Sequence, residues 1–232
     1  MSTLRPAEIH IWTARLPSNI PPDLESTLSP EECCRAARFC FASHRLAYIF
    51  AHAVLRGVLS RYLTCHPRDV RFASNSFGKP FLDAMSGDRG LQFNLSHAGD
   101  LVVVALCVGQ RIGVDVEEVR AIESLLEIAD AHFTRSEREF IFSQEPQERR
   151  RAFFRIWTRK EAYVKAVGNG LSIPLNSFDT VLSSRQHGRV FDSCTHSVEP
   201  PAWQVMDVQM PWGYVAAIGV ETGVDELVYF EL

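Results

Sequence analysis

The chain has 232 residues, 46% of them hydrophobic and 22% charged, which is enough to bury the core of one large domain or two small ones. A net charge of −4 gives no bulk attraction to nucleic acid or to an anionic membrane, so neither is expected as a partner. No apolar run reaches the ~20 residues of a membrane helix, "MSTLRPAEIHIW" lacks the apolar stretch of a signal peptide, and the six cysteines show neither CxxC nor framework spacing, so a cytoplasmic protein with reduced thiols and no zinc site is expected.

"AEIHIWTARL" alternates Ile9, Ile11 and Ala14 with polar neighbours and predicts a first strand. "NIPPD" breaks the chain. In "LSPEE" Ser29 caps, Pro30 takes the first helical position and Glu32 completes a capping box, predicting a helix to about Phe41. A second helix follows "ASHR" and runs to about Leu63, with Leu46, Ile49, Phe50, Ala53, Val54 and Leu59 inward. "VRFASNSFGKPFL" predicts short strands around a turn at Gly78-Lys79-Pro80, and "DAMSGDRG" a polar loop. "LQFNLSHAGDLVVVALCVGQRIGVDVEEV" predicts strand, turn, strand, a tight turn at Gly109-Gln110, and strand. Thr134 and Glu137 form another capping box, and a longer helix is predicted from about Gln147 to Val167, ended by Gly168 and Gly170. "FDTVLSS", "AWQVMDVQ", "GYVAAIGV" and "ELVYFEL" return to strand. Helices followed by strands thus occur twice about a seam near Ile112, predicting two α+β halves, residues 1–112 and 113–232, without a repeat visible at the level of residues.

Several groups could carry chemistry. On a strand Asp115 and Glu117 share one face while Val114 and Val116 face the core. Two carboxylates so close form either a solvated strand end or a cation site. Trp157, Glu161 and Lys165 lie four apart on one helical stripe, a core anchor beside either a surface ion pair or two working groups. Adjacent Ser96 and His97 point oppositely in an extended segment, so they form no nucleophile–base pair; they suit anion donation or a satisfied turn. Lys79 on its turn could meet a phosphate or water. Arg35, Arg38, Arg45 and Arg56 lie on the early helices, where arginines are usually solvated.

Jointly these groups resemble a known pattern. Gly78-Lys79-Pro80, Phe93 to Gly99 ("FNLSHAG"), Gly113 to Glu117 ("GVDVE") and Trp157 to Lys165 ("WTRKEAYVK") with the tail "GNGL" stand in the order found in the Sfp-type 4′-phosphopantetheinyl transferases. The resemblance covers Phe77 to Leu171, with a weaker match over Ser29 to Arg45. It implies a monomer of two pseudo-symmetric α+β halves with the active site in the cleft between them, the second half carrying most of the metal ligands. It implies transfer of the phosphopantetheine arm of coenzyme A to a serine hydroxyl of an apo acyl or peptidyl carrier protein, releasing adenosine 3′,5′-bisphosphate. By resemblance Asp115, Glu117 and Glu161 hold magnesium or manganese, and Glu161 and Lys165 are catalytic. Lys165, Asp115, Ser96, His97 and Lys79 would touch coenzyme A, with Arg45 at its 3′-phosphate. Glu32 and Cys33-Cys34 depart from the basic character of the early helix in that family. By the same resemblance the segment after Glu118, through about Phe142, would meet the carrier, with Phe133, Phe140 and Ile141 as either apolar contacts or a core helix face.

Oxygen ligands and substrate phosphates suit magnesium, a lysine neutralises phosphate as a point charge, and Glu161 or a water it orients would take the serine proton. Two other readings use the same residues: a non-catalytic coenzyme A or carrier-binding module, and a magnesium-dependent diphosphate hydrolase.

Overall fold

The computed structural model describes residues 4–18, 21, 23–83, 90–181, 187–192, 203–221 and 223–232, with the side chains of all these but 171 and 187–192. β1 (Glu8–Arg15) is followed by α1 (Pro30–Ala36), α2 (Ala42–Leu63), the hairpin of β2 (Phe72–Ser74) and β3 (Pro80–Leu82), then β4 (Leu91–Ala98), β5 (Leu101–Val108) and β6 (Ile112–Glu118). Next come α3 (Leu125–His132), α4 (Arg135–Ser143) and α5 (Arg149–Val167), then β7 (Phe178–Asp179), β8 (His187–Asp192), β9 (Trp203–Val208), β10 (Tyr214–Val220) and β11 (Glu226–Glu231). The predicted "DAMSGDRG" loop lies outside the described residues save Asp83 and Gly90, as do parts of "NIPPD", "FDTVLSS" and "AWQVMDVQ".

Both capping boxes form, at Ser29–Glu32 and Thr134–Glu137. α1 stops at Ala36 rather than near Phe41, because Phe39 turns onto Tyr48 of α2 with ring centroids 5.4 Å apart, a tertiary contact absent from local propensity. α3 was not foreseen; it has only eight residues and buries only Ala129 fully. Cys33, Cys34, Cys40, Cys65 and Cys107 are free thiols, and among the described residues no helix is long and apolar enough to cross a membrane.

The strands form one sheet ordered β11-β1-β5-β4 and another ordered β6-β10-β9-β8-β7. Inward residues of both, among them Ile9, Ile11, Val103, Ala105, Val114, Val116 and Ile218, make a shared core. α2 covers the outer face of the first sheet through Phe50, Val54 and Val58 against Trp12, Val102 and Val104. α5 covers the second through Tyr163, Val164 and Ala166 beside Trp203 and Val205. Each half is therefore a sheet with a long outer helix, an α+β arrangement. The last strand crosses back: β11 pairs parallel with β1, Ile9 opposite Leu227 and Ile11 opposite Tyr229. By pairing, residues 226–231 lie with the first sheet, although the chain-order division at 112/113 assigns them to the second half.

The halves also share a device that the sequence hides. In the first, the capping-box carboxylate of Glu32 accepts from Arg56 Nε at 2.6 Å, and Arg56 caps the carbonyls of Pro67 and Val70. In the second, the capping-box carboxylate of Glu137 pairs with Lys160 at 2.8 Å, and Lys160 caps those of Leu175 and Phe178. Each short capped helix is thus pinned to the long one behind it by a fully buried, paired base. Arg56, expected to be solvated, is only 2% exposed.

Candidate active site at the seam

β4 and β6 are the adjoining edges of the two sheets. No backbone ladder joins them; β4 reaches across with side chains. Asn94 Oδ1 accepts from Val114 N at 2.8 Å and Ser96 Oγ from Val116 N at 3.3 Å. Two lysines take the carbonyls of the same edge: Lys79 Nζ donates to Ile112 O at 2.9 Å and Lys165 Nζ to Val114 O at 3.3 Å. A sheet edge that would otherwise leave buried polar groups unpaired is satisfied in this way.

The other face of β6 seats α5. Gly113 and Gly219 are cross-strand partners. A Cβ on Gly113 would collide with Ala162 O and Ala166 N and lie 2.9 Å from Lys165 C; one on Gly219 would lie 3.0 Å from Ala162 O. Glycine at both lets the helix backbone rest on the sheet, which brings Glu161 and Lys165 down beside Asp115 and Glu117. Trp157 anchors the stripe, half-buried between two core clusters and stacked on Phe153 with centroids 6.2 Å apart.

The cluster is acidic and tense. Lys165 Nζ pairs with Asp115 Oδ1 at 2.6 Å, and Ser96 Oγ donates to that oxygen at 3.0 Å. The other oxygen, Asp115 Oδ2, is buried and has no hydrogen-bond partner. Burial pushes the Asp115 carboxyl up, against the pull of Lys165. Burial and then the charge of Asp115 push Glu117 up to about 7, and the same two causes raise Glu161. Three carboxyls therefore resist joint ionisation. As placed, no three acidic, histidine or cysteine side chains among the described residues are gathered closely enough to hold an ion.

One pocket, of about 340 Å³, runs from Phe77, Gly78 and Lys79 past Asn94 and Leu95 to Glu161 and Lys165. A second, of about 400 Å³, continues past Glu117 to Arg120, Ile122, Ile128 and Trp157. Of the sequence-predicted residues, Asp115, Glu117, Glu161, Lys165 and Ser96 meet at one place. Ser96 is buried and its hydroxyl is spent on the seam. His97 lines neither pocket; desolvation and then the charges of Lys165 and His52 hold it below the ordinary imidazole range, so β4, α5 and α2 turn basic groups toward one region. Lys79 lines the first pocket, but its ammonium donates to Ile112 O and Ala166 O, and burial lowers its pKa to about 8. Arg45 is exposed and paired with Glu25 at 2.8 Å. Phe133 and Ile141, read as either carrier contacts or a core helix face, are core residues at 2% and 0% exposure, whereas Leu126 and Phe142 are exposed. Sequence reasoning missed Asn75 and His52, and it quoted Asn94 and Gly113 within motifs without giving them a role; Asn94, a polar residue between Phe93 and Leu95 in a strand, was the readable signal.

Three carboxyls and a lysine at the seam between two α+β halves suit a phosphorylated substrate held through a cation. Comparison with known proteins narrows it. Residues 111–218 match the 4′-phosphopantetheinyl transferase superfamily, and residues 23–108 match the 4′-phosphopantetheinyl transferase N-terminal family. The chain is 34% identical to the 4′-phosphopantetheinyl transferase HetI of Nostoc sp. over 94% of its own length and 90% of the relative's. It is 32% identical to the 4′-phosphopantetheinyl transferase Sfp of Bacillus subtilis over 71% and 70% of the two chains, and 36% identical to AcpT of Salmonella typhimurium over 56% and 64%. The chain belongs to the 4′-phosphopantetheinyl transferase superfamily and is a transferase.

Proposed function

We propose that the chain transfers the 4′-phosphopantetheine arm of coenzyme A to a serine hydroxyl of an apo carrier protein at the seam, acting as a cytoplasmic monomer. The observation that carries the reading is the convergence of Asp115 and Glu117 from β6 with Glu161 and Lys165 from α5, on top of the family membership. In the reaction the serine oxygen bonds to the phosphorus next to the pantetheine, the bridging oxygen of the diphosphate leaves, and adenosine 3′,5′-bisphosphate departs.

The carboxylates suit magnesium, and manganese by the same oxygen chemistry. The buried, unpartnered Asp115 Oδ2 and the upward push that Asp115 exerts on Glu117 and Glu161 are what a cation would relieve. Asp115, Glu117 and Glu161 would hold it, and when bound it supplies charge neutralisation at the diphosphate. Lys165, a point charge one bond length of hydrogen bonding from Asp115, steadies that carboxylate and faces the leaving phosphate. Glu161, its carboxyl raised by burial and by the charge of Asp115, receives the serine proton directly or through a water it orients. His97 donates to a coenzyme A phosphate, and Arg45 reaches the 3′-phosphate after leaving Glu25. Ser96 serves the ligand indirectly, by holding Asp115 and Lys165. The carrier meets the second pocket at Ile122 and Ile128, which line it, with the exposed Leu126 and Phe142 as further apolar contacts.

The test is incubation with coenzyme A, magnesium and an apo carrier, followed by the carrier's mass. Gain of the phosphopantetheine arm supports the transfer. An unchanged carrier with intact coenzyme A marks a binding module, and an unchanged carrier with cleaved coenzyme A marks a hydrolase.

A further inference from the structure

Lys79 stands on a turn that the first half extends over the end of α5. The turn is closed on itself by Asn75, whose Oδ1 accepts from Phe77 N and Lys79 N, both at 2.9 Å, while Asn75 N donates to Lys79 O at 3.0 Å. From that fixed base two donors reach the helix. Asn75 Nδ2 donates to Gly168 O at 2.8 Å, and Lys79 Nζ to Ala166 O at 3.0 Å. Ala166 lies in the last turn of α5, where carbonyls have no partner within the helix. A cation there meets the negative end of the helix dipole. The third contact, Lys79 Nζ to Ile112 O at 2.9 Å, ties the same ammonium to the first residue of β6. Space is tight as well: a Cβ on Gly168 would lie 3.1 Å from Lys79 Cδ and 3.3 Å from Asn75 Nδ2.

One ammonium thus joins the end of α5 to the start of β6. Lys165 is the neighbour of Ala166, and Asp115 follows Ile112 on the same strand, so the clamp lies directly behind the Lys165–Asp115 pair at 2.6 Å. We infer that Lys79 and Asn75 are positioning residues, which fix the last turn of α5 on β6 and so hold Lys165 and Glu161 in register with Asp115, and that the Lys79 ammonium is not a ligand of the nucleotide. This rests on the transferase reading of the site. Lys79 has three donors to place and two are taken by backbone carbonyls; redirecting it to a phosphate would leave the carbonyls of the buried Ile112 and Ala166 unpaired, and an unsatisfied buried acceptor is costly.

The experiment uses the whole protein with coenzyme A, magnesium and an apo carrier, and measures kcat and KM for coenzyme A in K79M, K79Q, N75A and K79M/N75A beside the wild type. A displacement of the working groups lowers kcat, so K79M and N75A are each expected to lose about tenfold or more in kcat with KM for coenzyme A changed less than about threefold. K79Q, which keeps an N–H donor, recovers part of the rate. The double variant falls no further than about the worse single one, as expected of two residues acting through one clamp. If K79M is insoluble, N75A, which retains the ammonium, carries the same expectation. A raised KM with kcat kept would show a nucleotide contact and overturn the inference. Lowered thermal stability with both constants kept would show a merely structural role and overturn it too. A wild-type chain that leaves the carrier unmodified refutes the transferase reading itself, and the clamp's part in catalysis with it.

Discussion

Replacing Gly113 with alanine tests the seat of α5 most directly. The residue has no left-handed backbone requirement, so the perturbation is a single added methyl group. That Cβ would lie 2.9 Å from Lys165 C and closer still to Ala162 O and Ala166 N, against an optimal carbon separation of about 3.5–4.0 Å. All three neighbours are helix backbone, which cannot rotate away as a side chain can, so α5 must retreat by about 1 Å. Overpacking of this kind costs about 1–3 kcal/mol, and rigid neighbours place it near the upper end. At about 3 kcal/mol, Tm falls by roughly 6–12 °C for a chain of this size. Because α5 carries Glu161 and Lys165, the same retreat is expected to slow transfer by about a hundredfold. Gly219→Ala is the internal comparison: its Cβ meets Ala162 O at 3.0 Å and Tyr163 Cα at 3.1 Å, a milder strain expected to lower Tm by about 2–4 °C per kcal/mol. Thermal unfolding by circular dichroism and carrier mass against time read the two effects. A G113A protein with wild-type Tm and a rate within twofold of wild type would refute the argument that glycine seats the helix.

Glu161→Gln keeps shape and removes the proton acceptor, so transfer is expected to fall by about 10²–10⁴-fold while the unfolding curve holds; a near-normal rate in the carrier mass assay sinks its role as base. Magnesium is expected to bind weakly to the protein alone and more tightly with coenzyme A present, because ligand phosphates complete the coordination; calorimetric titrations giving equal affinities would contradict this. Acid stability follows from Glu32. Against the cost of burial, His52, the Ser29 N–H and Arg56 hold its carboxyl down at about 2, below the usual 4.5. A depressed carboxyl stabilises the fold above its unfolded pKa and loses that contribution as pH falls toward 2, here about 3 kcal/mol in all. Denaturant unfolding of the wild type should therefore weaken between about pH 4.5 and 2, and Glu32→Gln should flatten that slope; an unchanged slope in the variant would assign the acid loss to other groups.

The candidate site residues were legible because short-range periodicity places them. Strand alternation put Val114 and Val116 in the core and Asp115 and Glu117 on the other face, and the structure does the same. Helical spacing put Trp157, Glu161 and Lys165 on one line, and both pockets open along it. What was not legible is how side chains are spent between elements. The pairing that Lys165 makes is with Asp115 across the seam, and nothing local distinguishes that from a pair with Glu161 one turn away. Ser96 and Lys79 look free in sequence because the groups they satisfy belong to the open edge of β6, far along the chain. The crossing of β11 to β1 is likewise a long-range register, set by apolar faces that several partners would satisfy.

The buried bases show what the two halves share and where they part. Arg56 with Glu32 and Lys160 with Glu137 occupy the same role, each pinning a capped helix to the long helix behind it. The next residue differs. After Lys160 comes Glu161, aimed into the cleft; after Arg56 comes Gly57, where a Cβ would meet nothing within 4 Å. Space for a side chain exists at Gly57 and no working group fills it. The anchor serves both halves, because each must fix a long helix on a sheet. The chemistry needs only one acidic strand edge, and β6 supplies it where β4 can brace it from the side. The carboxylates and Lys165 lie on the second half, while Asn94, Ser96 and the Lys79 turn of the first brace the β6 edge from the side; under the proposed function the second half would carry the reacting groups and the first would hold their register.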